Sequence, residues 1–301
     1  MQTSAAILEA SIVALVLGLA LRGSPREVRF FAACRPRLLL RAFVAMDVLL
    51  PLFTMSALSA LAAPAPVILG ATLLAISPGA SLIAQKELRT GGRAELVLAS
   101  TMLGSLLSIV TVPIWLGIAS ELFLPDALLS PGAAFRLVAI LFLLPLTVAL
   151  ILRRLAPDLM SRASGPLIVA ADVMLLAVLL FFAPAIISGM LQLGFRAAAA
   201  IAAGAAGAVM LGHLAGGRDE SDRSVLAVMS GARHPGLALL IARFNFDGDL
   251  VLPAVVTSLL IGTLLTLPYA YWRRRHRRSG SSAAASQLTP ETPILVPPSP
   301  Q

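Results

Sequence analysis

Apolar runs of about 20 residues, separated by short stretches holding charge, proline or glycine, recur along the whole of this chain. Examples are SIVALVLGLALR at 11–22, RLVAILFLLPLTVALIL at 136–152 and SVLAVMSGARHPGLALLIARF at 224–244. A helix of that length spans about 30 Å, the thickness of an apolar bilayer core. A barrel would need short segments of alternating polarity instead. With 58% hydrophobic and 13% charged residues and a mean hydropathy of +0.91, the composition agrees. The sequence therefore predicts an all-α polytopic membrane protein whose environment is a lipid bilayer.

Nine spans are read from the runs, near 5–21, 38–62, 66–85, 96–119, 134–152, 164–188, 197–215, 224–243 and 250–272. The first has no Lys or Arg ahead of it and carries Glu9 inside it, so it reads as a true helix rather than a secretion signal. Basic residues then orient the bundle. Placed on alternate junctions, 19 of the 23 Lys and Arg residues fall on one side, including Arg22, Arg35, Lys86, Arg93, Arg154, Arg223 and Arg275. That bias predicts an outside N-terminus and a cytoplasmic C-terminus in the inner or plasma membrane. The net charge of +8 is scattered between apolar spans without aromatic interleaving, which argues against a nucleic-acid partner. Cys34 stands alone, and His213, His234 and His276 are dispersed, so neither a metal site nor a cofactor motif is legible.

Two spans are interrupted. TLLAISPGASLIAQK carries Ser77, Pro78, Gly79 and Ser81; MSGARHPGLALLIA carries Ser230, Arg233, His234, Pro235 and Gly236. Proline removes a backbone donor and glycine loosens the helix, so freed backbone groups must find partners. A pair of such breaks in corresponding positions of two halves points to a transporter's binding site. Charged residues deep in a span normally face a cavity or a partner, and three stand there: Asp47, Asp172 and Arg233. Asp47 is the expected counter-charge of Arg233. Asp172, in LIVAADVMLL, reads as a structural hydrogen bonder between helices.

These residues resemble a known family. The succession LGLALRGSPREVRFF, RPRLLLRAFVAMDVLLPLF, AISPGASLIAQKELRTGGRAELVLASTMLGSLLSIVTVPI and MSGARHPGLALLIARFNF is similar to the bile acid:sodium symporter family over residues 10–272. The resemblance implies two inverted repeats, each with a discontinuous crossing helix. It divides the chain into a first repeat of four helices at 1–122, lacking the family's first helix, and a second of five at 132–275. Residues 276–301, rich in Ser, Ala and Pro, read as a disordered cytoplasmic tail. The resemblance also implies where sodium would bind, and there the chain departs from the family: the positions are Met46, Ile83, Ala84, Val97, Met229 and Arg233, with only Thr101 keeping an oxygen.

The sequence thus predicts a secondary transporter of a small organic anion, working by alternating access. It is expected to be independent of sodium, either passive or coupled to a proton on Asp47. A sodium symporter using backbone ligands is the runner-up, and an intramembrane aspartyl hydrolase using Asp47 and Asp172 or a membrane receptor are readings of another class.

Overall fold

In the computed structural model, residues 2–22, 31–77, 94–123, 136, 139–246 and 250–287 are described, and among them all regular structure is helical. Pro78, Gly79, Ser81, Ile83 and Ala84 lie outside the described residues. Helix α1 is Gln2–Arg22 and α2 is Pro36–Ala60, the latter passing through a π-helical turn at Val44–Leu49. Helix α3 is Ala65–Ile76 and α4 is Ala94–Phe123. A second π-turn, Ala139–Leu143, leads into α5, Leu144–Leu155. Then follow α6, Pro157–Phe181; α7, Ala183–Ala215; α8, Glu220–Gly231; α9, Gly236–Asn245; and α10, Val251–Gln287.

Five helices, counting α8 and α9 as one broken span, are long and apolar enough to cross a membrane, and a sixth is added if the bent α4 is one span. The chain is a membrane-spanning helical protein. Nine spans are not separately resolved, partly because several expected ones run into stretches outside the described residues: α3 stops at Ser77, and the fifth begins beyond 137–138.

Two boundaries differ from the sequence reading. The sixth span was expected to run to 188, but α6 ends at Phe181 and α7 begins at Ala183, bending at Gly194 with φ 72°. Only glycine adopts that left-handed conformation without penalty, so the bend sits where the residue permits it. The second difference is at the tail. Helix α10 continues through 276–287, where Arg and the Ala283–Ala285 run are good helix formers and no proline intervenes.

The middle of the molecule is built around α3 and the broken pair α8–α9. Every residue of α3 from Val67 to Ile76 is buried. In the apolar window of the α8–α9 span 89% of residues are buried, against 28% in α6, so the broken helix lies inside the bundle and α6 at its periphery. Glycines allow the close packing: a Cβ on Gly212 of α7 would stand 2.7 Å from the Ala227 Cα, and one on Gly262 of α10 would stand 2.7 Å from the Gly231 carbonyl oxygen. Polar contacts hold the start of α8. Asp219 caps it by accepting from the Ser221 N–H at 2.8 Å, Arg35 pairs with Asp222 at 2.8 Å, and Arg273 donates to Ser224 Oγ at 3.0 Å.

Candidate functional site

Proline chemistry creates the site. Pro51 carries no N–H, and the donor one residue earlier, the Leu50 N–H, bonds the Ala45 carbonyl in π fashion. The Met46 and Asp47 carbonyls, whose π and α partners would both have been residue 51, are left without an intrahelical donor. Side chains from elsewhere take them. Trp115 Nε1 of α4 donates to the Asp47 carbonyl at 2.7 Å, and Arg233 Nη2 donates to the Met46 carbonyl.

Arg233 lies in the second break. Helix α8 ends at Gly231, the chain turns away at Ala232 with φ −124° and ψ 81°, and Pro235 opens α9. From there the guanidinium also reaches the end of α3, where Nη1 donates to the Ser77 carbonyl at 2.9 Å. That carbonyl terminates a helix, where the backbone dipole favours a cation. One arginine therefore ties together the π-turn of α2, the C-terminus of α3 and the break between α8 and α9. Arg233 is buried, 3% exposed, and its Nε has no hydrogen-bond partner.

The break also orients His234. Its Nδ1 accepts from the Gly236 N–H at 3.2 Å, which satisfies an otherwise orphaned donor at the start of α9. With Nδ1 accepting, the ring proton of the neutral imidazole sits on Nε2. That atom is buried and unpartnered.

Two cavities flank Arg233. The larger, about 410 Å³, is lined by the apolar residues Val169, Val173, Leu176, Leu179 and Leu259 and by the polar residues Asp172, Arg233, His234 and Thr263. The size and the few polar groups in an apolar wall suit a small organic ligand. The smaller, about 50 Å³, includes Thr54, Ser230, Gly231, Arg233, Ser258 and Gly262 in its lining.

Of the residues singled out in the sequence, the structure brings Ser77, Arg233, His234, Pro235 and Gly236 together, with Ser230 at the edge of the break. Thr101 is buried in α4 but lines neither cavity. Asp47 is a correction in part: its charge acts on that of Arg233, but it is not the guanidinium's hydrogen-bond partner. The guanidinium hydrogen-bonds carbonyls, and no carboxylate forms an ion pair with it among the described residues. It is the backbone of Asp47, not its carboxylate, that the proline exposes.

Asp172 is the second correction. Its Oδ2 is buried without a partner, so it does not make the expected helix-to-helix bond; it lines the larger cavity beside Arg233 and His234. The signal was present in the sequence as a carboxylate inside an apolar run. Met46, Val97 and Met229 pack in one apolar cluster.

The chemistry available is thus a fixed buried cation whose Nε has no partner among the described residues, an imidazole N–H and a carboxyl group, all lining one largely apolar cavity. No protein-family model matches the chain, and no curated protein matches it.

Proposed function

We propose that this protein is a secondary transporter that carries a small organic anion across the inner or plasma membrane by alternating access. The carrying observation is a buried arginine in a broken helix, its Nε without a partner among the described residues, lining a largely apolar cavity of 410 Å³. Burial makes that charge expensive unless something uses it, and a carboxylate accepting from Arg233 Nε and His234 Nε2 would use both free donors. The organic body of the cargo would lie along Val169, Val173 and Leu176.

Asp172 supplies the coupling in this reading, in place of Asp47. An anion beside an ionised Asp172 would put two negative charges in one apolar cavity, and protonation of Asp172 removes the repulsion. The charged groups on the helices packed against α6, namely Glu9 of α1, Arg153 and Arg154 of α5 and Arg196 and His213 of α7, do not line the cavity, nor do Asp158 and Arg162 of α6 itself. Arg233 and His234 line the same cavity as Asp172.

The resemblance to bile acid:sodium symporters supports the wider architecture: nine spans, two inverted repeats, an outside N-terminus and a cytoplasmic C-terminus. So does the meeting of basic residues assigned to one side, Arg35 and Arg273 at the start of α8, and Arg153 donating to the Leu21 carbonyl at 2.7 Å. Sodium bound through backbone carbonyls is disfavoured, since the guanidinium occupies the Met46 and Ser77 carbonyls. Hydrolysis by paired aspartates is disfavoured too, because Asp47 and Asp172 line no common cavity among the described residues.

A thermal-shift screen of monocarboxylates and dicarboxylates on purified protein tests the reading. A ligand of the folded state at a hundredfold excess over its Kd adds about 2.7 kcal/mol of apparent stability. Hits should be taken up by proteoliposomes, with uptake driven by an inward pH gradient and lost in Asp172→Asn. Binding without uptake would identify a receptor instead.

A further inference from the structure

We propose that the 50 Å³ cavity on the other side of Arg233 is a resident site for a single halide-sized inorganic anion, chloride in the cell. Two buried hydroxyls without hydrogen-bond partners among the described residues belong to serines that line it, Ser230 Oγ and Ser258 Oγ, and Arg233 lines it beside them. The serines are unusual in this molecule. Thr72, Ser77, Ser224, Thr257 and Thr266 each donate back to the carbonyl four residues earlier, at 2.6–2.9 Å, as hydroxyls in membrane helices commonly do. Ser230 and Ser258 do not, which leaves both protons for an occupant.

The sign of that occupant follows from the arginine. Its hydrogen-bonded partners are neutral carbonyls, and among the described residues no carboxylate lines the cavity. Water would satisfy the two hydroxyls; an anion accepting from both would also lie beside the guanidinium, whose charge Asp47 offsets from outside this cavity without hydrogen-bonding it. Volume sets the size. A water needs about 10–15 Å³ of such space, so this cavity admits an anion of one or a few atoms and excludes an acid with a carbon skeleton. The remaining wall, with Leu50, Leu58, Leu74 and Ile201, cannot hydrate an ion and so favours larger, weakly hydrated halides.

The site goes beyond transport: it stands on the small cavity and holds whether or not an organic anion is carried. The test is a melting-temperature titration of the purified protein in sodium gluconate with chloride or bromide replacing gluconate at constant ionic strength. A saturable rise of a few degrees is expected, larger for bromide, and absent from the Ser230→Ala/Ser258→Ala double variant. Should that variant fail to fold, bromide-soaked crystals of the wild type decide: an anomalous peak within hydrogen-bond distance of both Oγ atoms supports the site. Equal melting in chloride and gluconate, or crystals with only water in the cavity, overturns it. Neither result bears on uptake of organic anions, which fails or succeeds separately.

Discussion

The two π-turns of this molecule come from the same local cause and have opposite fates. Val44–Leu49 is followed by Leu50 and Pro51, and Ala139–Leu143 by Leu144 and Pro145. In each the proline withholds a donor and the helix widens to compensate. The first turn buries Met46 and Asp47, and its freed carbonyls receive Trp115 and Arg233 from two other elements. The second also turns one residue, Leu141, into the core and exposes Ile140 and Leu143, much as the first exposes Val44, Val48 and Leu49, but no side chain of another helix donates to it among the described residues. Its nearest support is local, the Thr147 hydroxyl bonding the Leu143 carbonyl at 2.7 Å. A proline in a membrane helix thus offers carbonyls; a site arises only where a charged donor from another element is placed to accept the offer.

The comparison can be broken in steps. Arg233→Met strips the charged donor from both the Met46 and Ser77 carbonyls and should cost about 3 kcal/mol, read as the loss of unfolding free energy in detergent. A cost below about 1 kcal/mol would mean the carbonyls are satisfied without it. Next in size is Trp115→Phe, which keeps the ring but orphans the Asp47 carbonyl, at about 1–3 kcal/mol in the same assay. The prolines then test the two turns against each other. Pro51→Ala supplies an N–H that competes with Arg233 and Trp115 for the same carbonyls, and should shift Trp115 fluorescence and change stability by about 1 kcal/mol. Pro145→Ala, with no outside donor to displace, should be neutral to slightly stabilising; equal effects at both prolines would erase the distinction. The smallest change is Ser77→Ala. Only the hydroxyl's back-bond to the Leu73 carbonyl is lost, while the Ser77 carbonyl still holds Arg233, so stability should move by less than about 0.5 kcal/mol.

Much of this was legible in the sequence because it rests on local chemistry. Apolar run length marks the helices, Pro235 and Gly236 mark the break in the α8–α9 span, and an arginine inside hydrocarbon announces a partner. What the partners are was not legible. Pairing Arg233 with Asp47 is the natural guess from charge alone, yet the acceptors are backbone carbonyls, and backbone carries no signature in the residue letters. Pro51 was the available clue, since a proline names the carbonyls it strips. Asp172 was visible as a misplaced carboxylate, but its cavity depends on how α6 packs beside the break, a long-range fact. Helix α10 runs on to Gln287, into residues that read from the sequence as the start of a tail, because no proline there interrupts a helix already begun.

The central claim is that Arg233 stands where a mobile cation would otherwise be needed, so that anion binding and uptake need no sodium. The direct measurement is uptake of a thermal-shift hit by proteoliposomes with choline replacing sodium, for wild type, Arg233→Gln and Asp47→Asn. The account predicts undiminished wild-type uptake in choline, loss of uptake in Arg233→Gln, and retention in Asp47→Asn. Wild-type uptake that vanishes without sodium, or full activity in Arg233→Gln, would contradict it.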